Sequence, residues 1–448
     1  MLVKSWSVCL LVLGCGFTAI QAEVAADEGL ASTRPEMKKR IEALKERTSR
    51  LPLPPPTEQE LASGRSLVNN GRLRSIYLPP SWQPFLVPGW GSNSANRGKG
   101  GTASLLKTLE ADPNYGFKTR LFWIVSRTND CRYCLGHQEL KLKRVGMTDD
   151  QIASLDSRWD LFPASEQAAI EATRKLTITP HLFAEQDLAK LKSHFTAPEI
   201  IDILYTVSRY NAVNRWTSST GIPQDQAFGG ETHSVLDTPT SDEYSQRPSK
   251  VIPLDIKPRP EWERRDQVEA ALKKAHERTP ALELPAVDAA RKVLAKDCPG
   301  VTPPVWFQAM TNLPVALDSW AQRQAMARDG KTPLDLRVLI AWVSARENRA
   351  WYSLGHARAR YLAAGGELSQ LDSFANLEKI ATPGYAEALR FARKLTSAPH
   401  TMDDADITRL KETFNDFEVA EIIQLTCDAN AFDRFTESLR LPLETSLD

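Results

Sequence analysis

The spacing of apolar residues along this chain predicts helices. One apolar cluster predicts a buried helix that ends at Asn129 or Asp130, and a second helix follows over residues 131–146, where Gly146 is a natural stop. A later stretch carries apolar residues along a single helical face. The apolar positions are Leu121, Phe122, Ile124 and Val125 in the first helix and Ile200, Ile203, Leu204 and Val207 in the later stretch. No alternating pattern continues over a useful length, so the sequence predicts an all-α fold.

The same pattern occurs twice, because residues 118–223 match residues 337–442 without a gap. The matched positions, all at one offset, include Trp123 with Trp342, Asn129 with Asn348, Tyr133 with Tyr352, Leu135-Gly136-His137 with Leu354-Gly355-His356, Asn211 with Asn430, and Arg215 with Arg434. This regularity predicts two tandem copies of one helical domain. We assign the first copy to residues 35–223 and the second copy to residues 262–448. Residues 224–261, rich in proline, serine, threonine and aspartate, are typical of a linker laid over the surface.

Composition narrows the class of partner. The 448 residues are 42% hydrophobic and 25% charged, which is ordinary for a globular protein with two or three cores. Lysine plus arginine and aspartate plus glutamate number 56 each, so there is no basic excess to neutralise a nucleic-acid backbone or an anionic membrane. We therefore expect no nucleic-acid partner.

The N-terminus has the pattern of an export signal. Lys4 precedes an apolar run over residues 7–20, and small or apolar residues follow up to Ala22. The run is too short for a membrane-spanning helix. Residues 1–22 therefore predict a signal peptide and a periplasmic or secreted protein. An alternative is a lipoprotein anchored through Cys15.

Two of the remaining cysteines are closely spaced. Cys9 and Cys15 fall in the export signal, and the four other cysteines are too few for a disulfide scaffold. Asn129 or Asp130 as a helix N-cap would place Cys131 and Cys134 in the first turn, close enough to form a disulfide. The positive end of the helix dipole, with Arg132 turned inward, would favour a thiolate.

His137 completes this group of candidate residues. It follows Cys134 by about one turn, within reach to accept or return a proton directly or through a water. Together the three side chains are suited to attack a peroxide oxygen or a disulfide sulfur and then close a disulfide. The alternatives are a plain structural disulfide, and a zinc site that would need further ligands. Covalent haem is excluded by Leu135, where histidine would be required. We expect no metal and no cofactor.

The whole unit resembles the alkylhydroperoxidase D and carboxymuconolactone decarboxylase superfamily. The resemblance rests on Cys-x-Tyr-Cys after an apolar helix, a nearby histidine, a helix that ends at glycine, and the late residues Asn211, Asn214 and Arg215. It implies that Cys134 is oxidised by peroxide, that Cys131 resolves it, and that His137 assists the attack. The chain departs from the peroxidase branch at Gln138, where that branch has its histidine, and at Thr119, where it has a glutamate of its proton relay.

The second copy has lost the thiols, because Cys131 and Cys134 align with Ala350 and Ser353. His356 persists there, which suggests a packing role for His137 as an alternative to proton transfer. The resemblance implies two helical domains that form a pseudo-symmetric pair, the second in place of another subunit.

The expected activity is a thiol-dependent peroxidase or a dithiol-disulfide oxidoreductase. Its partners would be a hydroperoxide or disulfide substrate, a thiol electron donor that the sequence does not identify, and further copies of the chain through its helices. The alternatives are a non-catalytic binding or scaffold protein with a structural disulfide, and a decarboxylase that acts on a cyclic lactone acid.

Overall fold

The computed structural model describes residues 30–62, 68–82, 114–225, 227–228, 231–232, 234–252, 259, 261–374 and 382–445. The predicted signal peptide and Cys15 lie outside these residues. Over the described ranges no helix is both long enough and apolar enough to cross a bilayer.

The structure is all-α, as the apolar spacing predicts. The helices of the first half are Arg34–Ala43, Glu58–Ala62, Asn69–Tyr77, Tyr115–Thr128, Arg132–Arg144, Asp149–Ser157, Ala164–Ile178, Glu185–Lys192, Ala197–Thr220 and Asp242–Ser245. Those of the second half are Arg265–His276, Val287–Leu294, Val305–Met310, Ala316–Arg328, Leu334–Asn348, Trp351–Ala363, Leu368–Phe374, Pro383–Ser397, Asp404–Lys411 and Asp416–Ser438. Short 3-10 turns are Leu44–Glu46, Pro80–Trp82, Trp159–Leu161, Pro180–Leu182 and Pro399–Thr401. A two-residue antiparallel pair, Ala227–Phe228 with Glu231–Thr232, leaves the class unchanged.

The two longest helices of the described residues pack against each other. We call Ala197–Thr220 the first long helix and Asp416–Ser438 the second long helix. Each buries an arginine whose guanidinium donates to a carbonyl of the other copy. Arg215 donates to Thr396 O at 2.9 Å, and Arg434 donates to Thr177 O at 3.0 Å. Because the four residues occupy matched positions in the repeat, the two bonds are reciprocal, as in an interface between like subunits.

The start of the helix Arg132–Arg144, called the thiol helix below, corrects one prediction. Neither Asn129 nor Asp130 is its N-cap; that position belongs to Cys131. Asn129 instead ends the preceding helix, and Asp130 takes the left-handed conformation with φ +46°. The Cys131 N–H then bonds back to Ser126 O at 2.8 Å, which closes a Schellman motif. The two helices are therefore joined by a tight turn.

The predicted linker does more than cover the surface. Val235, Val251 and Ile252 are buried, and the Lys250 N–H donates to Asp156 O at 2.8 Å. The first residues of this segment are buried beside the thiol helix, as described below. Apolar side chains spaced too irregularly to predict an element still anchor this segment to the first copy.

Candidate dithiol site

The two cysteines meet at one hydroxyl group. Cys131 Sγ lies 3.0 Å and Cys134 Sγ 3.2 Å from Oγ1 of Thr217, on the first long helix. Both cysteines are free thiols and each is only 2% exposed. The Thr217 hydroxyl also lies 3.1 Å from the carbonyl oxygens of Val213 and Asn214. It can therefore accept from a thiol while it donates to its own helix, or turn to donate to a thiolate.

The surroundings of the two thiols shift their pKa values in opposite directions. Burial alone would raise the pKa of Cys131, but hydrogen bonds from Cys134 and Thr217 outweigh it and hold that pKa below the usual value. Burial and the bond to Cys131 raise the pKa of Cys134 well above the usual value. When the pair loses a proton, it is therefore lost first from Cys131, and Cys134 keeps its proton. The prediction that Arg132 turns inward is not met. Its side chain is partly exposed, and its Nε lies 3.5 Å from Oδ2 of Asp130.

His137 has partners other than sulfur at both ring nitrogens. Nδ1 lies 3.0 Å from the carbonyl oxygen of Tyr133, and Nε2 lies 3.0 Å from Oδ2 of Asp225. The Tyr133 hydroxyl donates to the same carboxylate oxygen at 2.7 Å. Asp225 Oδ1 in turn accepts the Asn69 N–H at 2.8 Å, at the start of another helix. The carboxylate thus ties together two helix starts and the histidine.

The second copy repeats this cluster without the thiols. The Tyr352 hydroxyl donates to Glu444 at 2.6 Å, and His356 Nε2 lies 2.9 Å from the same carboxylate group. Glu444 also accepts the Val305 N–H at 2.8 Å. A tyrosine, histidine and carboxylate arranged alike in a copy that lacks thiols indicate that the cluster serves the fold.

Asp225 is the residue that sequence reasoning missed. It lies two residues past the end of the predicted first copy, in the segment assigned to the linker. The available signal was its match with Glu444, an acid with an acid, at the same offset as the rest of the repeat.

Asn211, Asn214 and Arg215, on the first long helix, hold the turn that precedes Cys131. Asn129 Nδ2 donates at 3.1 Å to the side-chain oxygens of both Asn211 and Asn214. Arg215 donates to Asn211 Oδ1 at 3.0 Å, so the amide network continues to the inter-copy bond described above. Buried amides must be satisfied, which explains why Asn129 turns to this network and not to the thiol helix.

Gly136 permits a close approach. A Cβ at Gly136 would lie 2.4 Å from Gln224 Nε2 and 2.9 Å from Ile41, and one at Gly355 would lie 2.4 Å from Leu443. Since Gln224 and Leu443 occupy matched positions, the returning chain crosses the helix at the same glycine in both copies. The shared Leu-Gly-His sequence is therefore a packing feature.

The second copy keeps the threonine that the cysteines contact. Ser353 Oγ lies 3.1 Å from Oγ1 of Thr436, the match of Thr217, and Ala350 is fully buried. Asp433 stands where the first copy has Asn214, and it accepts from Asn348 and Ser344 at 2.9 Å each. Burial raises the pKa of Asp433 to about 6. This site holds hydroxyl and carboxyl groups but no thiol.

The structure also shows the surroundings of Thr119 and Gln138, the two residues at which the chain departs from the peroxidase branch. Thr119 is buried and donates its hydroxyl to Tyr115 O at 2.7 Å, so it offers no base. Gln138 is buried.

Lys141, two turns beyond Cys134 on the thiol helix, lies within electrostatic range of that thiol, and burial lowers its pKa to about 8. An amine with such a pKa can exchange a proton near neutral pH.

Within the described residues, no three or more histidine, cysteine, aspartate or glutamate side chains are grouped to hold a metal ion. Comparison with known proteins finds no matching family model and no curated protein of significant similarity. The resemblance to the alkylhydroperoxidase D superfamily therefore stays a prediction that rests on motifs of the chain.

Proposed function

We propose that this chain is a thiol-dependent oxidoreductase that reduces a hydroperoxide or a disulfide through Cys131 and Cys134. The observation that carries the proposal is the meeting of both reduced sulfurs at the hydroxyl of Thr217, at 3.0 and 3.2 Å. One thiol is acidified and the other retains its proton, which is the division of labour that a two-step dithiol reaction needs.

With a hydroperoxide, a thiolate attacks one peroxide oxygen, so that a sulfur–oxygen bond forms and the oxygen–oxygen bond breaks. The leaving alkoxide takes the proton of the second thiol and departs as an alcohol. The second sulfur, now a thiolate, attacks the sulfenic sulfur and displaces hydroxide, which solvent protonates to water. The dithiol has then given two electrons to the hydroperoxide, and an external dithiol of low potential must reduce the disulfide again.

The order of the cysteines distinguishes two versions of this mechanism. The resemblance implies that Cys134 attacks first, whereas the hydrogen bonds of the site favour the thiolate at Cys131. Single-cysteine variants separate them, because only the attacking cysteine forms a sulfenic acid when its partner is serine. Trapping with a sulfenic-acid reagent and mass spectrometry identifies that residue.

We further propose that the two copies form a pseudo-symmetric pair in which the second copy replaces another subunit. The reciprocal bonds of Arg215 and Arg434 support this arrangement. So does the repeated cluster of tyrosine, histidine and carboxylate. The second copy would then hold the first long helix, and with it Thr217, in place.

The test is stopped-flow measurement of hydrogen peroxide or organic hydroperoxide consumption by the fully reduced protein. We expect the double variant with serine at positions 131 and 134 to lose the reaction. Cys298→Ser is the matched control and should react as the wild type does, since Cys298 contacts Trp320 in the second copy, away from the dithiol. Equal rates for the double variant and the wild type would refute the proposal.

A non-catalytic role has one observation in its favour, the 2% exposure of each cysteine. Under that alternative the pair is a packed structural disulfide in the exported protein, and its reduction costs about 2 kcal/mol of stability, the loop-entropy value for so short a loop. Under the oxidoreductase proposal the protein cycles between the two redox states without unfolding.

A further inference from the structure

The surface around the start of the thiol helix carries arginines that the mechanism above does not use. We call Arg47, Arg50 and Arg132 the arginine rim. Arg47 Nη2 lies against the end of the first long helix, where a Cβ on Gly221 would approach it to 3.0 Å. Arg50 donates to the carbonyl oxygens of Ser218 and Ser219 in the same helix, at 2.7 and 3.0 Å. Arg47 lies within electrostatic range of both Arg50 and Arg132, so the three guanidinium groups lie near one another.

The second copy is different at the same positions. Glu46-Arg47-Thr48 matches Glu277-Arg278-Thr279 at an offset of its own, which pairs Arg47 with Arg278 and Arg50 with Ala281. Trp351 stands at the match of Arg132, so Arg278 is the one arginine of the rim that the second copy keeps. Arg278 forms a two-point ion pair with Glu437, at 2.6 and 3.1 Å. Glu437 is largely buried, with a side chain 8% exposed.

Glu437 also binds the start of the helix that matches the thiol helix. Its Oε2 accepts the N–H of Trp351 at 3.1 Å. A carboxylate is thus held between an arginine and the first amide of that helix, which is a favourable anion position. In the second copy, the place between the arginine and the helix start is therefore occupied by a carboxylate, that of Glu437.

In the first copy the position of Glu437 is taken by Ser218, which cannot neutralise an arginine. The Ser218 hydroxyl instead helps to lower the pKa of the Cys131 thiol. In the described part of the chain, the acid beside Arg47 is Asp404 at 3.7 Å, which is 85% exposed and bonded to Arg50 at 2.6 Å. Burial and the charge of Arg50 lower the pKa of Arg47 to about 10, which still leaves it cationic at neutral pH.

The second copy has two other arginines near the start of the matching helix, and each has a carboxylate partner. Arg349 lies 2.7 Å from Glu263, and Arg440, in place of Gly221, lies 3.8 Å from Glu185. In the first copy Arg132 lies 3.5 Å from Asp130, while Arg47 and Arg50 share the exposed Asp404. Arg47 is therefore the cation of the rim that lacks the buried carboxylate held by its match in the second copy.

We propose that the arginine rim binds the carboxylate of an anionic substrate, between Arg47 and the first amide of the thiol helix. A carboxylate there would occupy the place that Glu437 takes in the second copy, next to the sulfur of Cys131. The substrate class is then a hydroperoxide or disulfide that carries a carboxylate close to its reactive bond. Calling the bound anion a substrate rests on the proposed function; the binding of a carboxylate at this place does not.

The test compares alkylation of the reduced protein by iodoacetate and by iodoacetamide, which differ in charge. In both reactions the Cys131 thiolate forms a bond to carbon and iodide leaves, so no oxidant is needed. Mass spectrometry of the Cys131 peptide gives the two rates. We expect Arg47→Gln to lower the ratio of the iodoacetate rate to the iodoacetamide rate about tenfold, the effect of one lost charge-assisted contact. The matched control Arg278→Gln should leave the ratio unchanged.

A second variant introduces the side chain of the second copy. Ser218→Glu should place a carboxylate against Arg47 and also lower the ratio, although the arginine is intact. A ratio that neither variant changes would overturn the proposal. A reduced wild-type protein that consumes no peroxide, while both variants lower the ratio as expected, would refute the proposed function alone. An unchanged ratio with normal peroxide consumption would refute the carboxylate site alone.

Discussion

In the first copy, Asn129 joins Asn211 and Asn214, and the turn it stabilises leads to two thiols. In the second copy, Asn348 joins Asn430 and Asp433 at 3.2 and 2.9 Å, and the turn leads to Ala350 and Ser353. The backbone bond after the turn is also repeated, with Ala350 N–H to Ala345 O at 2.9 Å. The comparison separates parts that hold the helices in place from parts that exist in one copy only.

The parts found in one copy only lie together. Cys131, Cys134, Arg50 and Arg132 have no counterpart of the same chemistry in the second copy, and all four are at or near the start of the thiol helix. The threonine beneath the sulfurs and the carboxylate beside the histidine are common to both. A chemical function is therefore expected at the helix start, with the rest of the site as its support.

The largest expected effect is a loss of folding stability when Asp225 or its match Glu444 is removed. Asp225→Ala removes the carboxylate that contacts the buried Tyr133 and His137 and accepts the partly buried Asn69 N–H, and it should cost about 4 kcal/mol of stability. Glu444→Ala should cost less, because its side chain is 19% exposed. Urea denaturation measures both values. If Asp225→Ala left stability intact but abolished peroxide consumption, His137 would be a proton carrier and not a packing residue.

A smaller effect should come from the buried acid of the second copy. The pKa of Asp433 is raised to about 6, so its contribution to stability is full below about pH 4 and is lost as the pH rises through 6. Asp433→Asn, which copies Asn214, should therefore gain up to about 3 kcal/mol above pH 6 and nothing below pH 4. Urea denaturation at pH 4 and pH 8 tests this. An equal change at both pH values would show that charge is not the cause.

The next effect is specific to the thiols. Thr217→Val keeps the shape but removes a hydroxyl that, after Cys134, helps to hold the pKa of Cys131 down, so that pKa should rise and less thiolate should be present at a given pH. The pH dependence of thiolate absorbance in the ultraviolet measures the shift. Thr436→Val is the matched control and should change no thiol. A Cys131 titration that Thr217→Val does not shift would contradict the role given to this threonine.

The sequence was sufficient for the helices and the repeat, because helical spacing and a constant offset are local regularities. It misplaced the helix N-cap, since Asn129 has good intrinsic capping propensity but is drawn into a buried amide network by distant residues. It could not order the acidity of the two cysteines, which depends on their burial and on the hydrogen bond between them in the folded chain. Asp225 was missed because its role appears only when the chain returns across Gly136.

The most direct test of the central claim is a redox titration of the full chain against glutathione, with the oxidation of Cys131 and Cys134 followed by mass spectrometry and the fold by circular dichroism. We predict a potential between about −270 and −120 mV, the range of catalytic dithiols, with the same helical signal in both redox states. A potential below about −300 mV together with unfolding on reduction would identify a structural disulfide and contradict the account.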